Sequence, residues 1–138
     1  MGYKKEFQES IENPEKFWRK QAELIKWYEF PNTILSEDEN GFYHWFKGGK
    51  LNTSYLLLDH HVECGRGDQT ALIYDSPVTN SQRKFSFKEL LEEVAKFAGV
   101  LWEKGIEKGD RVIIYMPMIP EALVAMLACA RLGAIHSV

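Results

Sequence analysis

The run RVIIYMPMIPEALVAMLACARLGAIHSV, residues 111 to 138, limits the possible folds more than any other stretch of this chain. From Val112 to Ile114 it is apolar on both faces, which is how a central strand of a parallel sheet reads. Pro120 then opens a helix, because proline at the first helical position gives up no bond the helix needs. Gly133 closes that helix just after Leu132, where a C-terminal turn favours glycine. AIHSV is again strand-like. Strand, helix and strand within 28 residues make a βαβ unit, whose crossover is right-handed in nearly all known cases. The helix is apolar almost all round, so it demands burial on more than one side. Little else in the chain can cover it. The expectation is therefore that much of the helix 120–132 and the strand 134–138 stay uncovered, with further chain or a partner as the missing layer.

The same run is nearly long enough to be a membrane span, since Glu121 is its only charge between Val112 and Ala130. Pro117 and Pro120 break it, and the longest unbroken apolar stretch, Ala122 to Ala130, suits a buried helix in a soluble core. No membrane partner is expected. The start MGYKKEFQES has no apolar segment of the kind a secretory signal needs. Glu6 occupies the place where a myristoylation motif requires Ser or Thr. Cys64 and Cys129 then read as reduced thiols in a bacterial cytoplasm or a mitochondrial matrix. A net charge of −3 with no cluster of Lys or Arg argues against nucleic acid as a partner.

Ahead of the βαβ run, the chain has two characters. Residues 1–68 are aromatic-rich and irregular. Asn13 and Pro14 mark a helix start, with Asn13 expected as the cap. Phe17, Trp18, Gln21, Leu24, Ile25 and Tyr28 share one helical stripe that ends by Pro31. Turns are expected at Asn40-Gly41 and Gly48-Gly49, with no clear period between them. Trp45 and Phe46 need a surface to bury against, so this arm is expected to wrap across another part of the protein. From residue 69 the pattern alternates. TALIYD (70–75) reads as a strand, SPVTNSQR as a polar loop and KFSF (84–87) as a short strand pairing back. Ser86 and Glu89 form a capping box. Leu90, Leu91, Val94, Ala98, Leu101 and Trp102 repeat at helical spacing up to Gly105.

Candidate chemistry is sparse. KGGK (47–50) lacks the spacing of a phosphate loop and reads as a turn. Arg66-Gly67-Asp68 reads as a turn before a strand. Asp59, His60, His61, Glu63 and Cys64 lie close in sequence, but one cysteine with no second ligand pair is not a zinc pattern; a solvated turn or helix end is expected there. His136 and Ser137 have no acid nearby to complete a triad. Met116 and Met118 read as core gap-fillers, and Cys129 as an inert buried thiol. No residue is assigned a catalytic, cofactor-binding or metal-binding role.

Four stretches together resemble one family: GDRVIIYMPMIPEALVAMLACARLGAIHSV (109–138), FWRKQAELIKWY (17–28), WFKGGKLNTSYLLLDHHV (45–62) and KFSFKELLEEVAKFAGVL (84–101). They are similar to the N-terminal region of AMP-forming short-chain acyl-CoA synthetases, the acetyl- and propionyl-CoA synthetases. ALIYDSPVTN (71–80) looks more like the propionyl-CoA branch. The resemblance implies an α/β fragment, with a helical, aromatic-rich N-terminal extension (1–68) and the start of the large domain of an adenylate-forming enzyme (69–138). It implies a ligase that joins propionate or acetate to ATP as an acyl-adenylate and passes the acyl group to coenzyme A. ATP, Mg²⁺ and coenzyme A are implied for that larger enzyme and none for the fragment. The family's phosphate loop, carboxylate pocket and catalytic lysine would all lie beyond Val138, and a glycine-containing turn that helps receive coenzyme A would follow directly. The fragment alone is expected to be inactive and prone to self-association. Two other readings stay open: an interaction module using the helix 120–132, and a small nucleotide-binding α/β protein, disfavoured because MPMIP after the strand has no glycine.

Overall fold

The computed structural model describes residues 2–138, which divide into two compact units meeting at Leu51 and Asn52.

In the first unit, α1 (Tyr3–Glu12) and α2 (Pro14–Ala22) precede an antiparallel hairpin of β1 (Thr33–Glu37) and β2 (Tyr43–Lys47). Helix α1 was not expected. Its signal was Tyr3, Phe7 and Ile11 at i, i+4 and i+8, a stripe that remains exposed. Pro14 does open α2, but the Asn13 side chain makes no capping bond. The helix also ends at Ala22, well short of Pro31. Leu24 and Ile25 donate to Gln21 and Ala22 in a tightened last turn, and the Trp27 indole N–H donates to the Ala22 carbonyl at 2.9 Å. The chain then turns away to pair Glu29 with Lys50. Leu24, expected on the buried stripe, is consequently 81% exposed.

The hairpin occupies a stretch with no evident period. Asp38 shapes its turn: Oδ1 accepts from the backbone N–H groups of Asn40 and Phe42, and Oδ2 lies 2.9 Å from His44 Nε2. Trp45, which stays 46% exposed, and Phe46 find ring partners within this unit. The Trp45 ring meets Trp18 edge-on at 5.8 Å, and Phe46 packs on Trp27 at 5.6 Å.

The second unit opens with a helical segment, 53–66, containing two π-helical turns, Tyr55–Asp59 and Val62–Arg66, the second broken at Gly65 (φ 77°). This segment packs against later elements of the unit, so the compact division falls ahead of the domain boundary expected at residue 68. β3 (Thr70–Ser76) and β4 (Ser81–Ser86) form an antiparallel hairpin. The polar loop is thus shorter than expected, and β4 starts three residues early. The tight turn between the strands places Asn80 at φ 49°, a conformation Asn tolerates better than most residues.

Helix α3 (Phe87–Glu103) begins with the complete Ser86–Glu89 capping box. Its Leu90, Val94 and Ala98 join Leu58, Phe85, Leu127 and Ala128 in one core. Trp102, on the expected stripe, is 68% exposed, although Leu101 in the same turn packs against the core.

β5 (Arg111–Ile113), α4 (Pro120–Leu132) and β6 (Ile135–Ser137) form the expected βαβ unit, with β5 and β6 parallel. Gly133 ends α4 at φ 78°. The uncovered surface agrees with expectation at β6, which is exposed throughout, and differs from it at α4. Along α4 only Glu121 is exposed, since the helix packs on α3 and β6. The missing cover is on the sheet, where Ile113 is 83% exposed and Tyr115 entirely so.

Candidate functional site

In open parallel sheets, ligands bind beyond the carboxyl ends of the strands. β5 and β6 run in register, Arg111 beside Ile135 and Ile113 beside Ser137, so both carboxyl ends open at one edge. One further bond, from Ile114 N–H to the Ser137 carbonyl at 2.8 Å, extends the ladder. The edge is therefore formed by MPMIP after β5, the first turn of α4 and His136–Val138. Met118 is 92% exposed and Met116 41% exposed, the latter lining a groove with Phe85, Phe97 and Val124, so neither is a buried core filler.

The residues of this edge do not fit nucleotide phosphates. Ile119, the cap of α4, has no side-chain acceptor, and the first turn carries Glu121, whose charge repels phosphate. Glu121 Oε1 instead accepts from Arg83 at 3.1 Å, which occupies a nearby cation. The Arg83 guanidinium also lies 4.7 Å from the centre of the Phe85 ring. His136 and Ser137 are exposed, and among the described residues no hydrogen bond joins either side chain to a carboxylate.

The KGGK segment is a structural turn. Phe46 and Gly48 both take positive φ, and a Cβ on Gly49 would meet the Trp27 ring at 2.7 Å. Lys50 Nζ is paired with Glu29 at 2.8 Å. The helical segment breaks at Gly65 (φ 77°), and Arg66-Gly67-Asp68 forms the expected turn before β3, closed by the Gln69 N–H donating to the Arg66 carbonyl at 3.0 Å.

The residues around His60 lie toward the end of the helical segment, the second of the two expected settings, and they disperse. Tyr55 donates to Glu63 at 2.7 Å. His61 contacts Arg66 and stacks near Phe87. Burial, followed by the positive charges of Arg66 and His60, pushes the His61 pKa below its ordinary value. Exposed Cys64 has its sulfur 3.7 Å from His60 Nδ1. Among the described residues no group of three or more His, Cys, Asp or Glu could hold a metal ion. Cys129 is fully buried, and burial pushes its thiol pKa up.

One constellation was not anticipated from the sequence. Asp59 accepts two parallel bonds from Arg131, at 2.8 and 2.9 Å. The Asn52 amide donates to the Ala130 and Arg131 carbonyls, both at 3.1 Å. Together these side chains hold the C-terminal turn of α4, whose last carbonyls have no partner within the helix. More than seventy residues separate the partners, and no local pattern signals such a clasp.

Comparisons with known proteins agree with this geometry. Residues 3–57 match the family model for the acetyl-coenzyme A synthetase N-terminus, and residues 58–138 match that for AMP-binding enzymes. An uncharacterized protein of Pseudomonas aeruginosa is 54% identical over 138 residues, all of this chain and 22% of its own length. The human mitochondrial acyl-CoA synthetase short-chain family member 3 is 53% identical over 98% of this chain and 20% of its own length. The acetyl-coenzyme A synthetase of Shewanella frigidimarina is 50% identical over 99% of this chain and 21% of its own length. The structure of an acetoacetyl-CoA synthetase from Streptomyces lividans superposes with a TM-score of 0.87 at 29% identity, covering 99% of this chain and 21% of that one. The chain thus spans about a fifth of the length of the curated relatives it matches. It belongs to the AMP-binding enzyme family, with a first part that matches the acetyl-coenzyme A synthetase N-terminus.

Proposed function

We propose that these 138 residues are the N-terminal portion of a ligase that activates a short-chain carboxylate. The carboxylate oxygen attacks the α-phosphorus of ATP, releasing pyrophosphate and forming an acyl-adenylate. The thiol of coenzyme A then attacks the acyl carbon, releasing AMP and forming the thioester. The observation that carries this reading is that two family models tile the chain without a gap, 3–57 and 58–138, in the order extension then AMP-binding domain. Mg²⁺ is the expected companion of ATP. In this reading the catalytic groups lie in sequence outside these 138 residues, in keeping with the lack, among the described residues, of any group of three or more His, Cys, Asp or Glu that could hold a metal ion. The role of this portion is architectural: it starts the parallel sheet at whose edge the rest of the site is built.

Propionate is the preferred acyl donor in this reading, on the strength of ALIYDSPVTN, which forms β3 and the turn after it. The test is a comparison of kcat/KM for propionate, acetate and acetoacetate, measured on a protein that contains this chain and spans the length of its relatives. The reading expects propionate to lead. A lead for acetate or acetoacetate overturns the substrate assignment, and the absence of any carboxylate-dependent AMP formation overturns the ligase itself.

A further inference from the structure

We draw no further inference here: the strongest candidate, the apolar groove of about 430 Å³ between β4, α3 and the first turn of α4, floored by Phe85, Phe97 and Val124 and rimmed by the Arg83–Glu121 and Lys96–Glu93 ion pairs, carries nothing because nothing in the structure shows what covers it.

Discussion

Glu89 Oε2 accepts from the backbone N–H of Ser86 at 2.8 Å, while Ser86 Oγ accepts from the N–H of Glu89 at 3.2 Å. Removing the hydroxyl as Ser86→Ala should destabilise the second unit by about 1 kcal/mol, read as a shifted denaturant midpoint with an unchanged slope. The backbone N–H and the hydroxyl of Ser86 hold the Glu89 pKa below its ordinary value. A lowered folded value means that the stabilisation is complete above the ordinary glutamate range and is lost as pH falls through the folded value. Glu89→Gln should therefore flatten part of the acid limb of the stability curve, and an unaltered limb would contradict this assignment. Asp38 follows the same sign. The His44 side chain, followed by the backbone N–H of Phe42, holds its carboxyl below the usual range. His44→Ala should raise the Asp38 titration midpoint, observed by NMR, but only part of the way back. The bonds from Asn40 and Phe42 remain.

Gly133 and the Asn52–Asp59–Arg131 clasp finish the same helix by different physics. Gly133 occupies the left-handed region at φ 78°, with a prospective Cβ 3.0 Å from Lys108 Cγ. Gly133→Ala should cost about 1–2 kcal/mol for the backbone alone, measured as a fall in melting temperature. For the clasp, a double-mutant cycle of Asp59→Asn and Arg131→Gln should give a coupling of about 1–2 kcal/mol, since the pair is bidentate and only partly exposed. Zero coupling would reduce it to a surface ion pair. These two devices also mark what could be read from sequence. Pro120, Gly133 and the Ser86–Glu89 box were legible because each acts within a few residues of itself. The clasp was not, because its partners meet only after the chain has folded. α2 was misjudged for a related reason: its apolar stripe continues past Ala22, but Trp27 takes the Ala22 carbonyl and Glu29 pairs with Lys50, so tertiary bonds outweigh the periodicity. The hairpin of β1 and β2 was overlooked although Asn40-Gly41 sits between two β-prone runs, a pattern that favours a strand pair.

The excess apolarity of residues 111–138 was correctly sensed from sequence, and its location only in part. Both α4 and the strand after it were expected to be uncovered; α3 and β6 cover α4, whereas β6 is exposed as expected and β5 is open beside it. A helix apolar all round gives no indication of which neighbour will bury it; a two-stranded parallel sheet, normally covered on both faces, must lack a layer. The isolated 138 residues should accordingly self-associate through the Ile113–Tyr115 surface. Sedimentation should show a mass that rises with concentration, and Ile113→Lys should suppress the rise without lowering the melting temperature at low concentration. A strictly monomeric chain at high concentration would refute that use of the surface. The most direct test of the proposed assignment is carboxylate-dependent release of pyrophosphate from ATP, measured side by side on the 138-residue chain and on a protein that extends it to the length of its relatives. Turnover by the extended protein and none by the 138 residues is the predicted result; turnover by the 138 residues alone, or none by either, would contradict it.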